Sequence, residues 1–260
     1  MTPPVFFCPT EVLRDAAVGA DGVVLDGAEG RHAATVRRLR VGESAELVDG
    51  EGLRASATVT AVGRDRLDLR LESRLAEPVP APRIVVVQAL VKGDRTELAV
   101  ELLTEAGVDE IVLWAAERCV VRWDAVKADR GEQRLRATAQ EAAKQARRAR
   151  WPVVTPLAST AQVEERVRAA AAAYALHESA TTPFATGDLP VAGEVVLVVG
   201  PEGGISDTEL AVLADAGAVP TRLGREVLRA STAGVVAVAV LTARLGRWDA
   251  PAPPGTGEGP

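Results

Sequence analysis

The chain has 260 residues, 47% of them hydrophobic, 25% charged and only 3% aromatic, with a formal net charge of −6. That is ample for one large or two medium packed domains with an aliphatic core of Val, Leu and Ala. No basic start followed by an apolar run marks a signal peptide, no apolar stretch is long enough to span a bilayer, and Cys8 and Cys119 form neither a disulfide framework nor a metal-ligand pattern. These features predict a soluble cytoplasmic protein with free thiols.

In chain order, residues 1–76 read as a small β-rich domain. Strands are predicted at 22–25, 44–49, 53–62 and 67–71. The Asp49-Gly50 dipeptide turns the second strand back on the third as a hairpin. One helix, over 30–39, interrupts them. Residues 77–83 hold three prolines in Pro78-Val-Pro80-Ala-Pro82, which predicts a stiff linker and a domain boundary.

Strand–helix alternation begins at residue 84 and continues to 248. The continuous apolar run 84–90 predicts a strand buried on both faces. A helix follows over 94–106, then a strand over 110–114 and a long helix over 130–150. After a helix over 162–171 come strands at 172–176 and 195–199. Ser206-Asp-Thr-Glu209 is a capping box that opens the next helix, ending at 216. A short strand over 221–223 and an almost wholly apolar helix over 227–245 close the pattern. Residues 249–260, rich in Pro and Gly, are expected to be disordered. The whole is an α/β protein with a small β-rich N-terminal domain.

The chemistry concentrates in two glycine-bearing segments, Leu197-Val-Val-Gly-Pro-Glu-Gly-Gly-Ile-Ser206 and Leu223-Gly-Arg-Glu-Val-Leu-Arg-Ala-Ser-Thr-Ala233. Each starts where an apolar run ends and leads into a helix. Such a layout offers bare main-chain N–H and C=O groups to a small polar cofactor, in the crevice where open α/β sheets bind ligands. Neither segment is a dinucleotide fingerprint or a P-loop, so a phosphate cradle and an NAD-linked enzyme are disfavoured. Arg229 at the opening of the last helix calls for an anionic or carbonyl partner. One of Ser231 and Thr232 is expected to cap that helix. His177-Glu178, at the end of another strand, is either a ligand-facing pair or a loop pair with no role.

Basic charge is clustered. Only three of the 30 basic residues are lysines (Lys92, Lys127, Lys144), and Arg31, Arg37, Arg38 and Arg40 stand together without an acidic neighbour among them. Glu141, Lys144, Gln145 and Arg148 recur at helical spacing and share one face. That face is read either as solvated or as lining an RNA groove.

Several motifs occur together in this order. They are Val5-Phe-Phe, Arg31-His32, Lys92-Gly-Asp-Arg95, Glu117-Arg-Cys119, Glu141 with Lys144-Gln145 and Arg147, His177-Glu178, Gly200-Pro-Glu-Gly-Gly204, and Leu223-Gly224 with Leu228-Arg229 and Thr232-Ala233. In this combination the chain resembles the bacterial 16S ribosomal RNA uridine-N3 methyltransferases of the SPOUT superfamily, over residues 5 to about 246. It departs from their usual pattern at Val5, Arg225, Glu226, Ala230 and Ser231. The resemblance implies a PUA-like β-barrel for RNA, a C-terminal SPOUT α/β domain with a trefoil knot, a homodimer, and S-adenosylmethionine as methyl donor without metal or membrane. It implies donor contacts at Leu176, His177, Val199, Gly200, Pro201, Gly203, Gly204, Leu223, Gly224, Leu228 and Thr232. Arg229, His177 and Glu178 become the catalytic candidates. Arg31, His32, Arg37, Arg38, Lys92, Arg95, Arg118, Lys144, Arg147 and Arg148 become the RNA-binding candidates, with 16S ribosomal RNA of the small subunit as partner. The alternatives are a methyltransferase for another RNA (a ribose 2′-hydroxyl or tRNA) and a non-catalytic assembly factor.

Overall fold

The computed structural model describes residues 2–249; the tail expected to be disordered lies, from residue 250 on, outside the described residues. The chain divides into two compact units. One comprises residues 2–79 with 143–151, the other residues 80–142 with 152–249.

The first unit is built on a five-stranded sheet in the order β1-β3-β4-β5-β2, formed by β1 (Val5–Phe7), β2 (Asp21–Leu25), β3 (Ser44–Val48), β4 (Leu53–Gly63) and β5 (Arg66–Ala76). β1 runs parallel to β3; the other pairs are antiparallel. In β5 the core residues Leu67, Leu69 and Leu71 alternate with the outward Asp68 and Arg70, which is the period of a half-buried strand. Register shifts at Ser56/Ala57 and Val59/Ala61 mark irregularities in the long β4–β5 ribbon, of the kind that bend and twist a strand pair.

Helix α1 (Thr10–Asp15) packs Leu13 into this core. The helix expected over 30–39 is different in form. It is a short α2 (Gly27–Arg31) running into one π-helical turn, His32–Val36, closed by Arg37 N–H to His32 O at 2.8 Å. Arg38 then takes the left-handed conformation at φ 55°. The extra residue of a π turn cannot be read from apolar spacing, because it shifts the helical phase by one position.

In the second unit a six-stranded, all-parallel sheet has the order β11-β9-β10-β6-β7-β8. The strands are β6 (Arg83–Ala89), β7 (Glu110–Trp114), β8 (Val153–Ala158), β9 (Ala172–Leu176), β10 (Glu194–Val199) and β11 (Ala218–Thr221). β6 and β10 are central, and their alternate residues enter two cores. Val85, Val87, Val196 and Val198 join one core; Ile84, Val86, Val195 and Leu197 join the other. Burial on both faces explains why these strands read as unbroken apolar runs.

Helices α5 (Thr160–Ala169) and α6 (Asp207–Asp215) cover the first core with Val163, Val167 and Leu213. The second is covered by α3 (Arg95–Glu105), α4 (Ala125–Gln145) and α7 (Ala230–Arg244), through Leu103, Leu135 and Val238. The capping box of α6 is present, with Glu209 N–H bonded to Ser206 Oγ at 3.2 Å.

Several expectations shift, and the short strand expected over 221–223 lies at Ala218–Thr221. α4 begins five residues earlier than its apolar pattern suggests, because the Asp124 carboxylate accepts the Lys127 N–H at 2.9 Å, as an N-cap does. It also ends five residues earlier, where Arg147 turns left-handed at φ 57° and Arg148 N–H reaches back to Ala143 O. β8 is an edge strand carrying Pro156, which hid it in the sequence. The last helix starts at Ala230 with Arg229 as N-cap, so neither Ser231 nor Thr232 caps it; the Thr232 hydroxyl instead donates to Arg229 O at 3.2 Å.

Candidate active site

The strand order reverses direction after β8. β6, β7 and β8 build outward on one side of the sheet, and β9, β10 and β11 fill the other. A cavity opens at the C-terminal ends of β9 and β11, lined by Leu176, His177 and Glu178 from the first, by Thr221 and Arg222 from the second, and by the loop Leu223–Leu228 with Ala233 of α7. His177 N–H donates to Thr221 O at 2.9 Å and ties the two strand ends together. This is the position at which open parallel sheets hold ligands, because loops there diverge and backbone groups are left bare.

The Gly200–Gly204 loop leaves β10 beside this cavity. Its glycines are required by close approach. A β-carbon on Gly200 would lie 2.8 Å from Ile205 Cγ1 and 2.9 Å from Ile205 N, and Gly204 sits at φ 73°. A β-carbon on Gly204 would lie 4.0 Å from Glu178 Oε1, which puts the loop against the cavity's rim. Two contacts brace the loop from outside. Glu202 accepts the Lys92 N–H at 3.0 Å, and the Arg118 guanidinium donates to Gly203 O and Ile205 O, both at 3.3 Å. Glu209, buried, accepts from Glu117 N–H and Thr160 Oγ1 and so anchors the segment before Arg118 to α6.

Of the expected donor contacts, Leu176, His177, Leu223, Gly224 and Leu228 line the cavity, together with the catalytic candidate Glu178. Val199, Gly200, Pro201, Gly203, Gly204 and Thr232 do not. Val199 and Pro201 are buried, and the glycines form the neighbouring loop. Arg229 is exposed at the α7 N-terminus, just beyond the lining residues, and forms no ion pair among the described residues. Thr221, Arg222, Arg225, Glu226, Val227 and Ala233 line the cavity without having been singled out as contacts. Their signal was position alone: Thr221, Arg222, Arg225, Glu226 and Val227 flank the Leu223-Gly224 break, and Ala233 lies in the first turn of α7.

The imidazole of His177 has a defined role among its neighbours. Its Nδ1 receives the Ser179 N–H at 3.3 Å and lies 2.9 Å from Ser179 Oγ. A backbone N–H can only donate, so Nδ1 is the acceptor and the neutral ring carries its proton on Nε2. Glu178 forms no ion pair or hydrogen bond among the described residues.

The basic candidates fall into two groups. In the second unit Lys92, Arg95 and Arg118 are exposed, Arg118 being the loop brace already described. In the first unit Arg31, Arg37 and Arg38 are exposed around the π turn; Arg31 lies 3.7 Å from Asp65, and His32 packs edge-on against Phe6. Lys144, Arg147 and Arg148 need correction as phosphate ligands. Lys144 Nζ is bonded to Glu29 at 2.9 Å with its side chain only 11% exposed. Arg147 lies 2.8 Å from Glu46, an ionic contact without hydrogen-bond alignment, and donates to Pro3 O. Arg148 is half-buried and also has a partner. Lys144 and Arg147 thus meet carboxylates of their own unit, Arg148 lies beyond the end of α4, and only Glu141 and Gln145 of the expected helical face are exposed.

Among the described residues there is no cluster of three or more His, Cys, Asp or Glu side chains able to hold a metal ion, and no helix long and apolar enough to cross a membrane. Both cysteines are buried.

A family model described as an RNA methyltransferase domain matches residues 78–242, and one described as an RNA methyltransferase PUA domain matches residues 25–72. A ribosomal RNA small subunit methyltransferase E from Mycobacterium bovis is 49% identical over 233 residues, covering 88% of this chain and 89% of its own length. Two solved structures share the fold along almost the whole chain. A Legionella pneumophila methyltransferase with bound S-adenosylmethionine is 28% identical, with a TM-score of 0.79 over 94% of this chain and 98% of that one. A ribosomal RNA small subunit methyltransferase E from Neisseria gonorrhoeae, bound to the same cofactor, is 26% identical, with a TM-score of 0.78 over 93% and 98%. The architecture is therefore the SPOUT α/β class with a PUA-like N-terminal unit, and the chain belongs to the RNA methyltransferase family of the ribosomal RNA small subunit methyltransferase E proteins.

Proposed function

We propose that this protein transfers a methyl group from S-adenosylmethionine to N3 of a uridine in 16S ribosomal RNA, acting in the cytoplasm as a homodimer on the small ribosomal subunit. The observation that carries the reading is the cavity at the ends of β9 and β11, walled by the Leu223–Leu228 loop and flanked by the Gly200–Gly204 loop.

The residues present fit the donor. The loop glycines leave main-chain atoms bare of side chain, and the Thr221 hydroxyl, in the cavity wall, is buried with no hydrogen-bond partner among the described residues. Buried polar groups are nearly always paired, so such a hydroxyl suits a ligand's polar atom. Leu176, His177, Leu223, Gly224 and Leu228 would hold the donor, with Gly200 and Gly204 shaping the adjoining loop. S-adenosylmethionine supplies a methyl group already activated on a positively charged sulfur, so the protein's task is positioning and proton handling.

Uracil N3 carries a proton and must be unpaired before it can react. Glu178 is the better proton acceptor of the two candidates, because its carboxylate is unpaired whereas the neutral His177 ring offers no lone pair at Nε2. Loss of that proton spreads negative charge over the base's two carbonyl oxygens. Arg229, unpaired at the α7 N-terminus, is suited to stabilise that charge. Arg31, Arg37, Arg38, Lys92 and Arg95 remain as exposed phosphate ligands, giving binding that falls with salt. Val236 and Val240, exposed on the otherwise apolar α7, support a partner subunit on that helix.

The test is incubation with labelled donor and either free 16S RNA or isolated small subunits, followed by nucleoside analysis. Labelled N3-methyluridine at one position is expected. Label on a ribose, on tRNA alone or nowhere would refute the reading. Sedimentation showing a stable monomer would refute the dimer.

A further inference from the structure

Glu226 takes no part in the chemistry assigned to Glu178 and Arg229, yet it lines the same cavity. Its Oε2 lies 3.3 Å from the position a β-carbon would occupy on Gly224, so the carboxylate rests over bare backbone. Among the described residues neither Glu226 nor Glu178 forms an ion pair or a hydrogen bond, although Arg222 and Arg225 line the cavity too. Two exposed carboxylates therefore line one cavity together with two arginines, and neither carboxylate is ion-paired to them. Thr221 adds its buried, unpartnered hydroxyl to the same wall.

This arrangement separates two ligands that differ by one charge. The methyl donor carries a positive sulfonium, and its product, S-adenosylhomocysteine, is a neutral thioether with the same adenosine and the same amino-acid end. Contacts with the shared groups bind both alike; Arg222 and Arg225 can meet the shared α-carboxylate and so cannot discriminate. A carboxylate near the sulfur is attracted to the donor alone.

We propose that Glu226 is a specificity-determining residue that favours the sulfonium-bearing donor over the thioether product and so eases product release. The proposal rests on the reading of this cavity as the donor site.

Titration calorimetry with each ligand tests it without any turnover. Glu226→Gln keeps the shape and removes the charge; it is expected to weaken S-adenosylmethionine binding about fivefold while S-adenosylhomocysteine changes by less than about twofold. Glu226→Lys should widen the loss for the donor, and added salt should shrink the wild-type preference. Thr221→Val, which removes a neutral group, should weaken both ligands alike. If Glu226→Gln weakens both ligands equally, or neither, while the wild type binds both, the proposal is overturned and the donor site stands. If the wild type binds neither ligand, the donor site and the proposal fall together. An unchanged melting curve for Glu226→Gln confirms that the ratio reports binding and not loss of fold.

Discussion

Arg229 illustrates how much one backbone position decides. It sits where the chain turns from extended conformation into α7, and its carbonyl accepts the N–H groups of Thr232 and Ala233, each at 2.9 Å. The backbone is held by the helix start while the guanidinium is left unpaired. Arg229→Ala is therefore expected to keep donor affinity and the fold but to lower the single-turnover rate by about 10²–10³-fold, as removal of one charge-stabilising donor does. A near-normal rate in that variant would remove Arg229 from the mechanism. The two cysteines make the opposite case. Burial first, then the charges of Glu11 and Asp49, push the Cys8 thiol up to about 12 from 9.0. Burial likewise raises Cys119. A thiol whose folded pKa lies above its unfolded value stabilises the fold below the unfolded value, and that contribution is lost as pH rises through the folded one. The unfolding free energy should accordingly fall between about pH 9 and about pH 12, and Cys8→Ala should remove part of that slope in denaturant titrations. Neither thiol should react with a water-soluble disulfide reagent before unfolding.

Among elements, α4 is the instructive one. Its interior Gly131 would ordinarily be a weak point, since alanine is favoured in a helix by about 1 kcal/mol. Here a β-carbon at Gly131 would fall 2.6 Å from Trp123 Cη2. The glycine lets the outer edge of the indole come close to the helix, and Trp123 packs against both cores of the second unit. Gly131→Ala is expected to destabilise by about 1–3 kcal/mol, reversing the propensity rule, because overpacking forces the ring out of place. In a Trp123→Leu background the cost should vanish, which a double-mutant cycle by chemical denaturation would measure. Most elements were legible from period and punctuation. β7 and β9 fall where their apolar runs lie, and α6 starts at its capping box. α4 was displaced by five residues because charged and small residues dominate it, so its ends are set by Asp124 and by the left-handed Arg147 rather than by an apolar stripe. β8 was missed because an edge strand needs only one good face and tolerates Pro156.

At the scale of the whole molecule, the first compact unit is discontinuous. Residues 143–151 join residues 2–79, and they do so through charge as well as packing. Glu46, 3% exposed, is shared by Arg54 and Arg147; Arg54 also reaches Glu77 and Arg147 O, and Lys144 meets Glu29. Trp151 stacks near Phe7 and would meet any β-carbon on Gly50. Removing one side of a buried ion pair costs about 3–5 kcal/mol, which is comparable to the stability of a domain this small. A fragment of residues 1–79 is therefore expected to lack a cooperative thermal transition, and adding residues 143–151 through a flexible linker should restore it. A fragment that melts cooperatively by itself would show that the second segment is dispensable.

The sequence by itself determined the α/β class, the proline-rich passage between the two patterns, the two strand ends that line the cavity, and the glycine breaks. Each of these is local: it depends on period, on a cap, or on a backbone that no side chain may crowd. Tertiary structure alone decided that Lys144 and Arg147 serve Glu29 and Glu46, that Arg118 braces the Gly203 carbonyl, and that Glu226 shares a cavity with Glu178. A charged side chain reads the same in sequence whether it meets water, a polyanion or a carboxylate from a distant strand. Its role is set by which neighbour the fold brings within a few ångströms, and that neighbour is not encoded in its own segment.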